Sequence, residues 1–576
     1  MKIKFCGAAS GVTGSCHLLT TGDHKILLDC GQFQGGKAQD AMNYEPFPFD
    51  PEEIECVILS HAHIDHCGRL PLLVKRGFKG KIYCTDATAD LLKVMLEDSA
   101  HIHEQDAEWQ SKRNKRAGKP PIEPLYTMAD AAETLELVVP ILYDKLVELN
   151  DSVRIVFNDA GHILGSAITE IWVKEGGMDT KIVFSGDLGM PDRPILRDPT
   201  IIKKADCVIM ESTYGNRLHT DTAHDVGKLI EIIVKTMRRG GTAVIPSFAV
   251  GRTQELIYQL NEYYEGENEY SKDLENLLVY IDSPMATTAT EVFRKNAQVF
   301  DDETKAHILK GDDPLDFHNL IFTRSTEESQ ALNADRSPKV IISASGMCEA
   351  GRIRHHLKHN LWDSKSSVIF VGYQAEGSLG RALLDGVKDV TLFGEEIHVS
   401  AEIYNLEGFS GHADQNGLFT WIAGFKDRRP KQVFLVHGEE QSKLDFAALI
   451  HEKLGYDPIP VLGVSEYELD LSEVTITNKE AADKSAAVHE DVQKVRNQLS
   501  EIHSNLEDII YNTNLAIDAN MTDEQLIKIN NILQDLHKAA IGLGEEVARG
   551  SAENAKAAAQ AKREAAEAEE KETSEA

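Results

Sequence analysis

Through most of its length the chain alternates short apolar runs with polar turns and longer amphipathic stretches. Ile26-Leu27-Leu28-Asp29, Cys56 to Ser60, Val153 to Asp159, Lys181 to Asp187 and Cys207 to Glu211 read as buried strands, being short, apolar and bounded by turn formers. Ala87 to Glu97 and Ala129 to Leu135 read as helices. A second α/β pattern runs from Glu211 to about Val390. In it, Thr242 to Pro246 leads into a helix Arg252 to Tyr264, and Leu277 to Asp282 leads into another after Pro284. Val340 to Ser343 and Val368 to Val371 are further strands. Repeats of this kind imply a mostly parallel sheet covered by helices. Strand-forming sequence returns around Ile397 to Pro460. Past Ser472 the texture changes: Val488, Val492, Val495, Leu499, Ile502, Leu506 and Ile509 fall at helical spacing, predicting an amphipathic helix or helix pair within 475–545. Ala552 to Ala576 is rich in Ala, Glu and Lys and lacks the apolar residues to build a core.

Several predicted strands end in residues able to do chemistry. Ser60-His61-Ala62-His63-Ile64-Asp65-His66 directly follows the apolar run Cys56 to Leu59, which puts its imidazoles and carboxylate on a strand-end loop. There His61 and His63 can turn toward one metal ion while Asp65 and His66 face a second. Neutral imidazole with carboxylate favours zinc or a similar transition ion over magnesium or calcium. His162, Asp187, His412 and His437 likewise follow apolar strands or glycine turns, and their joint appearance makes them candidate partners of that loop.

The 576 residues suggest two to four domains, and a hydrophobic content of 42% supports real cores. No uninterrupted apolar run is long enough to span a bilayer, and the N-terminus turns polar too soon for a secretory signal. Eight scattered cysteines without a CxxC pair suit reduced thiols, so a cytoplasmic location is expected. The formal charge of −33 argues against a nucleic-acid coat protein but leaves a nuclease open, because bound divalent ions reverse the local sign. Basic spots occur at Lys112-Arg113-Asn114-Lys115-Arg116 and between Lys426 and Lys431. Ser343, Ser345 and the backbone near Gly346 form a candidate phosphate-binding turn. Arg252, Arg352 and Arg381 are candidate phosphate contacts that could equally pair with carboxylates.

The order Asp29, His61-x-His63-x-Asp65-His66, His162, Asp187 resembles the metallo-β-lactamase superfamily. Glu211-Ser212-Thr213-Tyr214-Gly215, His412 and His437 resemble the extra motifs of its β-CASP branch, which cleaves nucleic acid. Pro246 to Arg252, Ser343 to Met347 and Gly372 to Gly377 extend the similarity to the nuclease subunit of the cleavage and polyadenylation factor and its prokaryotic RNase relatives. The likeness covers roughly residues 1–465. It implies an α/β fold, a metallo-β-lactamase αββα sandwich (1–211 and 396–465) with an inserted β-CASP α/β domain (212–395). A helical extension (475–545) and a charged tail (546–576) would follow.

The resemblance also implies two zinc ions. His61, His63 and His162 would hold one, Asp65, His66 and His437 the other, with Asp187 bridging and Asp29 orienting ligand histidines. His412 would be the general acid, supported by Glu211, with Asp187 and Asp65 completing the catalytic set. The expected activity is hydrolysis of single-stranded RNA to 5′-phosphate and 3′-hydroxyl ends, endonucleolytic, with a 5′→3′ exonuclease as the alternative. A small-molecule metallo-hydrolase is a weaker alternative, since such enzymes need no large insertion, and a non-catalytic scaffold fits poorly with an intact ligand set. Expected partners are RNA, a second copy of the chain, and a protein docked on the C-terminal helices, with no membrane.

Overall fold

The computed structural model describes residues 1–469, apart from Gly36, Gly176–Gly177, Asp221 and Ala375–Glu376. The expected helical extension and tail lie outside these residues. Among them, two seven-stranded sheets face each other. The first runs in the order Ser465–Glu468, Lys2–Gly7, Cys16–Thr21, His24–Leu28, Cys56–Ile58, Lys81–Thr85, Val138–Ile141. The second runs Ile459–Pro460, Gln432–Val436, Cys207–Glu211, Met178–Phe184, Ala167–Glu175, Val153–Asp159, Val147–Glu148.

Period-two alternation explains the layering. Along Cys56-Val57-Ile58, Cys56 and Ile58 join Phe5, Leu28, Phe157, Ile171, Phe184 and Phe434 between the sheets. Val57 points outward to Leu73, Leu92, Leu96 and Tyr126 under a helical layer. On the other outer face Val208 and Met210 pack with Leu418, Trp421, Phe446 and Ile450. The result is the expected αββα sandwich.

A third, six-stranded parallel sheet has the order Leu320–Phe322, Val279–Ile281, Lys339–Ser343, Thr242–Pro246, Ser367–Phe370, Glu402–Asn405. Its edge strand lies past residue 395, beyond the expected limit of the insertion. Its core is continuous with the metal loops, because Ala62, Ile163 and Leu164 share one cluster with Ile245, Ala249, Val250 and Phe409.

Two expected boundaries move. The strand expected to reach Asp187 stops at Phe184, and Gly186 turns the chain at φ +54°. That frees Asp187 to leave the sheet plane. The helix expected over Ala87 to Glu97 runs Asp86–Arg116, 31 residues, because no Gly or Pro interrupts it before Gly118 and Pro120.

Candidate dinuclear metal centre

Backbone contact between loops sets the geometry. Gly31 packs so closely on the His61–His66 loop that a β-carbon there would lie 1.6 Å from the Asp65 carbonyl oxygen. Gly189 is pressed against Gly161 in the same way, with a β-carbon 1.7 Å from its carbonyl oxygen. These contacts bring the ends of Cys56–Ile58, Val153–Asp159 and Met178–Phe184 together, and the end of Gln432–Val436 adds His437. Asp29 (φ +59°) and His437 (φ +48°) both adopt left-handed backbone, which is uncommon outside glycine and concentrates at functional positions.

Five histidines converge by ring nitrogen. His63 Nδ1 lies 3.1 Å from both His61 Nε2 and His162 Nε2. Asp187 Oδ2 stands 3.6 Å from each of the latter two nitrogens. On the other side His66 Nε2 is 3.2 Å from His437 Nε2, and Asp65 Oδ2 is 3.5 Å from His437 Nε2. Asp187 Oδ2 also reaches His66 Nε2 at 3.2 Å, so one carboxylate borders both groups. The remaining ring nitrogens are engaged from behind. His66 Nδ1 donates to Asp29 Oδ2 at 2.7 Å, and His162 Nδ1 donates to the Gly411 carbonyl at 3.0 Å. Ser60 Oγ lies 3.0 Å from His61 Nδ1, and Thr213 Oγ1 lies 3.1 Å from His437 Nδ1. Asp29 further accepts from Ser15 Oγ and from the Ser60 amide and hydroxyl.

This arrangement fits a pair of cations. With Nδ1 protonated on His162, its Nε2 lone pair faces inward toward His63, where lone pairs about 3 Å apart repel unless something positive lies between. Imidazole nitrogens bound tetrahedrally at about 2.0–2.1 Å are about 3.3 Å apart, close to the spacing found. Asp187 Oδ1 is buried with no hydrogen-bond donor, an anionic orphan that a cation would satisfy. The donor atoms of His61, His63, His162 and Asp187 lie within 4.8 Å of one another, as do those of Asp65, His66 and His437.

Electrostatics divide the groups. Burial holds the His61 and His162 imidazoles well below the usual range and His63 at about 4. Burial disfavours the charged form of His66 as well, but Asp187 and Asp29 outweigh it and hold that imidazole high. His412 behaves similarly: burial pulls it down, while the carboxylates of Glu211 and Asp187 raise it to about 9. Its Nδ1 is 3.3 Å from Glu211 Oε1 and 3.9 Å from Asp187 Oδ2. Glu211 is fully buried and fixed by the Leu188 and Thr213 amides. His412 retains 23% exposure and Asp65 20%, so the site opens to solvent on their side. A buried carboxylate behind a half-open imidazole is an arrangement suited to proton donation.

The other candidates have partners of their own. The Ser343 hydroxyl donates to the Asp282 carbonyl, Ser345 Oγ accepts from the Glu349 amide, and Gly346 packs against the ring of Phe248. Arg252 is buried and paired with Glu255, Arg352 with Asp282, and Arg381 with Asp385. Of the three arginines, Arg252 adjoins the centre, packing by Gly411. Sequence reasoning missed Ser60 and Thr213, which brace ligand rings, and Tyr214, whose ring centroid is 6.1 Å from that of His412. Ser60 and Thr213 had a signal, since each adjoins a residue already singled out.

Comparison with known proteins agrees with this geometry. Residues 9–247 match the metallo-beta-lactamase superfamily, 253–383 the Beta-Casp domain, and 396–461 the Zn-dependent metallo-hydrolase RNA specificity domain. The chain is 39% identical over 450 residues to Ribonuclease TTHA0252 of Thermus thermophilus, an alignment covering 78% of this chain and 96% of that one. It is 32% identical to the transcription termination factor FttA of Methanocaldococcus jannaschii, over 78% of this chain and 68% of the relative. FttA of Methanosarcina mazei is also 32% identical, over 79% and 69%. With sandwich, inserted domain and convergent ligand set in place, the chain belongs to the β-CASP branch of the metallo-β-lactamase superfamily, the metal-dependent nucleases of that fold.

Proposed function

We propose that this chain is a zinc-dependent ribonuclease that cuts single-stranded RNA internally, leaving 5′-phosphate and 3′-hydroxyl ends. The observation that carries the reading is His412, backed by buried Glu211 and 3.9 Å from the carboxylate that borders both ligand groups. The kinship to a protein named as a ribonuclease supports RNA as substrate.

His61, His63, His162 and Asp187 would hold one zinc ion, and Asp65, His66 and His437, with Asp187, the other. When bound, the ions supply charge neutralisation at the phosphate and lower the pKa of a water toward neutrality. The chain's own residues do the rest. Asp29, Ser60, Thr213 and the Gly411 carbonyl keep the ring nitrogens aimed inward. His412, kept protonated by Glu211, donates its proton to the departing 3′-oxygen, which is a poor leaving group without one. Because water and not the 2′-hydroxyl attacks, the phosphate remains on the 5′ side of the downstream fragment.

The test is cleavage of 5′- and 3′-labelled RNAs by the zinc-loaded chain and by His412→Ala. Internal fragments from both labels, with a loss of about 10²–10⁴-fold in His412→Ala at unchanged zinc content, are expected. Mononucleotides released from the 5′ end would make it an exonuclease, and full activity in His412→Ala would remove the acid from the mechanism.

A further inference from the structure

The helix Asp86–Arg116 begins at the metal site and ends far from it. Near its start the Thr88 hydroxyl donates to the Gly165 carbonyl at 2.7 Å, just after the His162 turn. At a helical rise of 1.5 Å per residue, Lys112 lies about 36 Å further along the axis. Ala107 is the last buried residue, so the final nine positions touch no core. Helices of globular proteins are held chiefly by packing, yet this end is ordered by other means. Ser111 Oγ bonds both the amide and the carbonyl of Ile122, Asn114 Nδ2 donates to the Pro120 carbonyl, and the Lys119 amide donates to the Asn114 carbonyl. The returning segment thus clasps the helix end, which stands clear of the core.

Its chemistry departs from the rest of the chain. Between Glu108 and Lys119 there are five cations (Lys112, Arg113, Lys115, Arg116, Lys119) and one anion, in a molecule of net charge −33. One or two cations in the last turn would suffice to offset the helix dipole. Lys112 pairs with Glu108, while among the described residues Lys115, Arg116 and Lys119 have no carboxylate at ion-pair distance. Trp109 is 62% exposed, and the Arg113 guanidinium lies 5.9 Å from its ring centroid. Cations flanking an exposed indole are the parts from which single-strand nucleic-acid surfaces are made: the charges track phosphates and the ring stacks on a base.

We propose that this projection is a docking arm for the RNA strand, gripping phosphates and a base well away from the cleavage site. The inference rests on the ribonuclease reading for the identity of the ligand. It gives the enzyme a preference for long strands over short ones.

The experiment uses the full chain and a variant carrying Lys112→Gln, Arg113→Gln, Lys115→Gln and Arg116→Gln, with Trp109→Ala as a second variant. Binding of labelled oligouridine of about 30 nucleotides, and of about 4, is measured with chelator present and at several salt concentrations. The quadruple variant should bind the long strand about tenfold or more weakly, with a log–log salt slope about 2–3 flatter. Trp109→Ala should lose affinity for the long strand with no change in slope. In zinc, both variants should cut the short strand at the wild-type rate and melt at the wild-type temperature. Unchanged affinity and slope for the long strand would overturn the arm, as would an equal loss on short strands, or patch-dependent capture of phosphatidylserine vesicles with RNA binding unaltered. A wild-type chain that binds RNA through the patch and cleaves none would overturn the ribonuclease reading instead.

Discussion

At the scale of single residues, the centre depends on groups that touch no substrate. Asp29 accepts four hydrogen bonds, from His66, Ser15 and twice from Ser60, so Asp29→Ala should release His66 and lower affinity for the second cation about 10–100-fold. Titration with a competing chelator reads this directly, and an unchanged stoichiometry and affinity would refute it. In the proposed mechanism Glu211 acts on protons. His412 is raised to about 9 by the carboxylates of Glu211 and Asp187 against the pull of burial. An acid works while protonated, so activity holds below that pKa and falls above it. Removing the Glu211 charge lowers the pKa, and the alkaline limb of kcat for Glu211→Gln should shift to lower pH; a limb that stays put would detach Glu211 from the proton donor. The convergence of the candidate ligands was legible in sequence because they crowd one loop or close apolar strands. The arginines were less so. Arg252–Glu255 and Arg381–Asp385 are helical neighbours whose spacing alone permits pairing. Arg352 instead pairs with Asp282, 70 positions away, which no local pattern reveals.

At the scale of elements, close backbone approach matters more than side-chain identity. The Gly31→Ala substitution would press a methyl group into the Asp65 carbonyl and drive the loop carrying His61, His63, Asp65 and His66 outward. Loss of bound metal together with a lowered melting temperature is expected, and calorimetry with metal analysis would show both or neither. In the inserted domain Asp282 plays the structural part. It is fully buried and takes hydrogen bonds from Thr323, Ser329, His356 and Arg352, which outweigh burial and hold its carboxyl below the usual range. A depressed folded pKa adds stability above the unfolded value of about 3.9 and loses it as pH falls through the folded value. Denaturant midpoints should therefore decline below about pH 4 in the wild type, and less so in Asp282→Asn. Asp282→Ala, leaving Arg352 and His356 facing a void, should cost about 3–5 kcal/mol. Element types were legible because period two and period 3.6 differ plainly. Boundaries were not, since a strand may end at a glycine turn such as Gly186 or run on through apolar neighbours with equal propensity.

At the scale of the whole molecule, strand ends from both seven-stranded sheets, spread across most of the described chain, bring the candidate ligands together. Cations bound there stabilise the folded state by mass action, so chelation should lower the melting temperature and zinc restore it, about 2.7 kcal/mol being expected at a hundredfold excess over Kd. A melting curve indifferent to chelator would contradict the fit of donors to ions. The shared cluster joining Ala62, Ile163 and Leu164 to Ala249 and Val250 should make inserted domain and metal loops melt together. A cut-down polypeptide cannot stand in for the whole, and the reason is the distance in sequence between His66 and His437, whose ring nitrogens meet at 3.2 Å. During synthesis the first six candidate ligands leave the ribosome long before the last. A nascent chain therefore holds only part of the second candidate group, which stays open until the return segment has emerged and its strand has joined the sheet.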